Sequence, residues 1–298
     1  MPETTDRCSI RSEAAHEPVL ATASTVRNWL LLEHPGPWGV QALRDARMPP
    51  GLGARLRTLG REHRFRTLLI RRPIRDPDPR TSCFAIHSGP GDPWVERVDL
   101  NDLVDACDLD LAALGRGERP GLTPHTDPLF AVCTHGRHDA CCAERGRPLA
   151  RSLAEAFPAQ TWESSHIGGD RFAGNLLAFP HGMYFGRVTA DRGPLVAASY
   201  LEGRIDLTVF RGRSCRSVDA QAAEHFLRAK FFLEGVDEVV PEHIDRSGDE
   251  ITVVARTYAG SYDVRLLRGE GPEERLTCHS TAPQRPPTFR LLGIDRRA

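Results

Sequence analysis

Apolar positions along the chain fall into short blocks separated by Gly, Pro and charged residues. Trp29-Leu30-Leu31-Leu32 is a continuous apolar run, the pattern of a strand buried on both faces, and His34-Pro35-Gly36-Pro37-Trp38-Gly39 ends it abruptly. Beyond it the spacing changes, with Leu52, Leu56 and Leu59 on one face of an expected helix over 52–63. Strands are expected at 66–71 and 83–87, on either side of a proline-rich loop at 73–79. A helix from 101 to about 114, capped by Asp99 or Asn101, closes this unit.

A polar stretch rich in Gly and Pro follows, with 117–128 as the linker, and the pattern then starts afresh. A strand at 129–133 leads into a cysteine-bearing loop, a helix at about 148–157 and a strand at 160–163. Residues 174–179 and 183–188 read as a hairpin across Pro180-His181-Gly182, followed by a strand at 205–210 and a helix at 218–233. A tail hairpin joins 251–255 to 262–267 around Gly260. The expected fold is α/β (α+β). A thioredoxin-like domain at 129–235 is preceded by a domain of similar order at 8–116 and followed by a β-hairpin extension at 236–298.

Composition narrows the function. Hydrophobic residues at 40% and charged residues at 27% are those of a globular chain, which excludes wholesale disorder. Lys+Arg and Asp+Glu number 39 and 40, so no general field draws the chain to nucleic acid or an anionic membrane. The first residues lack a signal-peptide layout, and no apolar run approaches the roughly 18 residues of a membrane span. A cytoplasmic protein is expected, in which eight cysteines do not form a disulfide framework.

Three of those cysteines cluster. Cys133-Thr-His135-Gly-Arg-His138-Asp-Ala-Cys141-Cys142 places three thiols and two imidazoles between a strand and a helix, and Ser164-Ser165-His166-Ile-Gly168-Gly169-Asp170-Arg171 follows. Soft thiolates select zinc, copper(I) or iron–sulfur clusters, and imidazole suits zinc and iron. Gly168-Gly169 would let His166 and Asp170 point the same way. The plainer reading of these residues is a buried structural Cys133, solvated His135 and His138, and Asp170 as the cap of a short helix starting at Arg171.

These motifs, together with Glu33-His-Pro-Gly-Pro-Trp-Gly39, resemble the sucrase/ferredoxin-like family over roughly residues 8–235. The resemblance implies a thioredoxin-like 2Fe–2S ferredoxin in the second domain. Its first ligand pair would be Cys133 and Cys142, with Gly146 completing the motif, and its second pair would come from His166 and Asp170. Related proteins use His-x3-His, so Asp170 is a departure. Ligation through its oxygen, substitution by Cys141 or a vestigial site are the three alternatives. The implied role is one-electron transfer to an unidentified redox partner protein, an electron carrier rather than a stand-alone enzyme. Imidazole in place of thiolate would raise the potential and couple it to pH. Arg137, Arg145 and Arg171 would offset cluster charge or orient that partner. Trp38 is expected to face the cluster from the first domain and shield it from water.

Three other chemistries compete. Thiol–disulfide exchange lacks a C-x-x-C motif, and a Cys141–Cys142 disulfide would be strained. A zinc module is not matched by C-x8-C followed by His-x3-Asp. Hydrolysis has no G-x-S-x-G elbow, and neither G-x-G-x-x-G nor a P-loop is present for a nucleotide.

Overall fold

A computed structural model describes residues 7–74 and 81–297, so most of the expected 73–79 loop lies outside the described residues. The first half contains α1 (Cys8–Ala14), β1 (Asn28–Glu33), α2 (Ala42–Asp45), α3 (Leu52–Glu62), β2 (Arg66–Arg71), β3 (Thr81–His87), β4 (Trp94–Leu100), α4 (Leu111–Arg116) and β5 (Thr123–Pro124). The second half contains β6 (Leu129–Cys133), α5 (Ala140–Ala156), β7 (Thr161–Ser164), β8 (Leu176–Phe179), β9 (Met183–Phe185), α6 (Gly193–Leu201), β10 (Phe210–Arg213) and α7 (Val218–Phe231). Strands β11 (Val240–Ser247), β12 (Glu250–Thr257), β13 (Gly260–Glu270) and β14 (Pro287–Arg296) complete the chain.

Ten strands form one mixed sheet in the order β10-β9-β8-β6-β7-β2-β1-β3-β4-β5. Within it the order β2-β1-β3-β4 is repeated as β7-β6-β8-β9. In each set the first pair is parallel and the later pairs are antiparallel. The two sets join where β2 meets β7 antiparallel, at Ile70↔Ser164 and Arg71↔Glu163.

Alternation on the strands sorts side chains into separate cores. Leu30 and Leu32 of β1 pack with Leu52, Leu56, Leu111 and Leu114 of the first-half helices. Phe130 and Val132 of β6 pack with Leu149 and Leu153 of α5. The opposite faces meet in one shared core, where Trp29 and Leu31 join Ala131, Cys133, Trp162 and Phe179. Cys133 and Cys142 lie at its end.

Several expected elements move. The 101–114 helix divides into a 3-10 turn, Leu103–Cys107, and α4. Asp102 and Asp110 are the caps, rather than Asp99 or Asn101. Helix α5 begins at Ala140, with Pro148 inside it rather than near its start. The expected 205–210 strand lies at β10, whose first residue is Phe210. The tail is a four-stranded antiparallel sheet rather than a hairpin, covered by Ala222, Ala223 and Leu227 of α7.

Candidate metal centre

Strand β6 is buried at every position and delivers Cys133 to the sheet end. The following loop turns into α5, where the Asp139 side chain caps the helix by accepting from the Cys141 amide at 2.9 Å. Cys142 therefore sits in the first turn, directly over Cys133. The helix approaches this closely because residue 146 is Gly: a Cβ there would lie 2.0 Å from the Cys133 carbonyl oxygen. Strand β7 runs parallel to β6 with Ser164 level with Cys133, which raises His166 beside the two thiols. Gly168 and Gly169, at φ +103 and +80, then reverse the chain.

That reversal brings Asp170 back onto His166, with Oδ1 2.9 Å from Nδ1. The pair is close enough for an ion pair but lies off the hydrogen-bond line, so Nδ1 is a buried nitrogen without an aligned partner. The Cys142 thiol donates to the same Asp170 oxygen at 3.1 Å. Ligand atoms of Cys133, Cys142 and His166 lie within 4.8 Å of one another, and His138, His166 and Asp170 form an overlapping set. The His138 ring stacks on His166 with centroids 3.8 Å apart.

Electrostatics polarise the group. A hydrogen bond from Cys142, opposed by burial and helped by His166, holds the Cys133 thiol well below the usual thiol range. Cys142 moves up, because Cys133 and burial both disfavour its thiolate. Burial would lower His166, but Asp170 and Cys133 outweigh it and raise the imidazole to about 9. Burial would raise Asp170, yet His166 and Cys142 hold its carboxyl below the ordinary value. Cys133 and Asp170 are thus held in the anionic forms that ligate metals, whereas Cys142 and His166 would each release a proton on binding one.

The sequence comparisons bear on this geometry. The family described as Sucrase/ferredoxin-like matches residues 19–212, more than half of the chain. The chain belongs to the sucrase/ferredoxin-like family. Altered inheritance of mitochondria protein 32 from Meyerozyma guilliermondii is 28% identical over 97 residues, 29% of this chain and 32% of that protein. The chain therefore spans about a third of the length of this curated relative. No solved structure matches.

In this sucrase/ferredoxin-like chain the four expected ligands, Cys133, Cys142, His166 and Asp170, converge in space. Asp170 is not a cap: it is the first residue of a 3-10 turn preceded by Gly169, and its side chain faces His166 and Cys142. Cys141 is turned away from Cys133, toward Cys8 and Cys278. Its sulfur lies 3.6 Å from Cys8 and 3.4 Å from Cys278. His135 is buried rather than solvated. Its Nε2 lies 2.9 Å from the Gly39 carbonyl, and its Nδ1 accepts from the His166 amide at 3.2 Å. Trp38 of the first half meets the His135 ring edge-on at 5.7 Å. Arg145 and Arg171 pair instead with Glu13 and Glu17.

Sequence reasoning missed Arg211. This side chain is fully buried behind the His166–Asp170 turn, where its guanidinium donates to the Gly168 and Thr22 carbonyls, the Asn175 amide oxygen and the Thr22 hydroxyl. Among the described residues no carboxylate pairs with it. A buried cation without a counter-ion is costly, and an anionic centre on the far side of the turn is its natural complement. No helix among the described residues is long and apolar enough to cross a membrane.

Proposed function

We propose that the chain is a one-electron carrier whose 2Fe–2S cluster would be held by Cys133, Cys142, His166 and Asp170. The observation that carries this reading is the convergence of two thiols with a His–Asp pair in one largely buried set, backed by the Arg211 guanidinium. The repeated strand order, with the site where the first strand of the second set meets its helix, supports a thioredoxin-like ferredoxin half joined to a ligand-free half. A 2Fe–2S group supplies one-electron redox chemistry when bound, at a potential that non-thiolate ligands raise.

The protein's own residues set the surroundings. His135 fixes the backbone of His166 by accepting from its amide, while Trp38 covers the outer edge of His135. Arg211 holds the ligand-bearing turn through the Gly168 carbonyl and offsets negative charge. His138 is partly exposed and stacked on His166, so it lies between the centre and solvent. Arg137, Val40 and Gln41 share that cleft, the face a redox partner protein would use.

Anaerobically purified protein is expected to be red-brown, with about two irons and two acid-labile sulfides per chain. Its potential should lie above the roughly −400 mV of plant-type ferredoxins. A colourless protein that takes up neither iron nor sulfide on reconstitution would overturn the reading. So would a single zinc bound by Cys133 and Cys142.

A further inference from the structure

Adjacent to the proposed cluster, but facing away from it, a second set of ligand atoms comes together from three distant parts of the chain. Cys8 opens α1, Asp139 and Cys141 begin α5, and Cys278 lies in the segment between β13 and β14. The three sulfurs form a near-equilateral triangle with sides of 3.6, 3.4 and 3.5 Å. Asp139 oxygens lie 3.7 and 3.8 Å from the Cys8 sulfur. A tetrahedral zinc ion with bonds of about 2.3 Å to sulfur requires ligand edges of roughly 3.8 Å. The four residues therefore stand close to zinc-ligand spacing, slightly contracted, as expected where thiols contact each other directly.

The surroundings are those of a metal site. Cys8, Asp139 and Cys141 are buried. Among the described residues no Arg, Lys or His pairs with the Asp139 carboxylate, and an unpaired buried charge is expensive. Its oxygens accept from the amides of Cys141 and Cys278 at 2.9 and 2.7 Å, which orients it. The Ser9 hydroxyl donates to the Cys141 sulfur at 3.3 Å and the Cys8 amide to the Cys278 sulfur at 3.4 Å, as donors around a thiolate site do. No two of these sulfurs are bonded to each other: all three thiols are free, at 3.4–3.6 Å against the about 2.0 Å of a disulfide.

We propose that Cys8, Cys141, Cys278 and Asp139 bind a structural zinc ion, separate from the centre at Cys133, Cys142 and His166. Three thiols and a carboxylate close all four tetrahedral positions with protein ligands, the mark of a structural rather than a catalytic zinc site. Binding deprotonates the thiols and releases their protons to solvent. The ion ties the 271–286 segment, which contains no regular helix or strand, to the first turns of α1 and α5. Leu276, Thr277 and His279 of that segment line the cleft beside His138, so the zinc holds one rim of the surface proposed for partner docking.

The test is metal analysis of full-length protein purified with and without the iron–sulfur centre. The expected result is about one zinc per chain in both forms. Zinc should be lost in Cys8→Ser and in Cys278→Ser and retained in Cys133→Ser, while Cys278→Ser keeps whatever iron the wild type holds. Cobalt(II) added to zinc-free protein should give the visible bands of tetrahedral thiolate ligation. Limited proteolysis within 271–286 should speed up at least several-fold on zinc removal, a readout that does not require a folding-competent variant. Three results would overturn the proposal: no zinc and no cobalt bands, zinc that follows Cys133 rather than Cys8, or a disulfide joining any two of Cys8, Cys141 and Cys278 in the native protein.

Discussion

His166 Nδ1 faces Asp170 Oδ1 at 2.9 Å across a Gly-Gly reversal, and each holds the other in its charged form. In the metal-free chain His166 is raised to about 9, above its unfolded value of about 6.5. The stability this adds is fully present below the unfolded value and is lost as pH rises through about 9. Asp170 is lowered, so its contribution is present above the unfolded value and lost as pH falls through the folded one. Imidazole resonances of metal-free protein should titrate well above those of an ordinary histidine. Asp170→Asn should bring them back toward about 6.5. A wild-type His166 titrating there already would contradict the pairing.

Replacing Asp170 and Cys141 separates the alternatives for the fourth ligand. Asp170→Ala should lose most of the iron and sulfide, or shift the visible spectrum. Cys141→Ser should keep both, because its sulfur points toward Cys8 and Cys278. The reverse pattern in an iron and sulfide assay would assign the ligand to Cys141.

Arg211 makes four hydrogen bonds and, among the described residues, no ion pair, and its removal strands the carbonyls it serves. Arg211→Met should cost roughly 2–4 kcal/mol by denaturant unfolding. With the cluster bound, loss of the positive charge should also lower the reduction potential. An unchanged potential would mean that Arg211 only supports the turn.

Gly146→Ala tests the close approach of α5 to β6. A Cβ at this position meets the Cys133 carbonyl at 2.0 Å, so the helix must shift and take Cys142 with it. A loss of about 1–3 kcal/mol is expected from such overpacking, together with weaker iron retention on dialysis. Full retention would show that the site tolerates a displaced helix.

Hydrophobic pattern alone exposed the strands buried on both faces, such as β1, and the reversal that aims Asp170 at His166 was legible in Gly168-Gly169. The start of α5 was hidden because 140–147 carries few apolar residues besides its cysteines, and Pro148 resembles a first-turn proline. Strand β4 escaped because Glu96 interrupts its apolar run. In the fold Glu96 is buried and accepts from the Leu122 amide at 2.9 Å. Cys8 and Cys278 looked scattered because their meeting is purely tertiary, across 270 residues of chain. Arg211 gave no signal either, since nothing local marks a cation that folds inward.

The junction of β2 with β7 has a consequence for any attempt to shorten the protein. The Ser165 amide donates to the Leu69 carbonyl at 2.7 Å, the Leu69 amide donates to the Ser165 hydroxyl at 3.0 Å, and Arg66 donates to the His166 carbonyl at 2.7 Å. The first half thus acts as a mould for the backbone that presents His166. Cut away from it, the second half would keep Cys133 and Cys142 but lose the template that places its imidazole, and it would expose β7 as a bare sheet edge open to self-association.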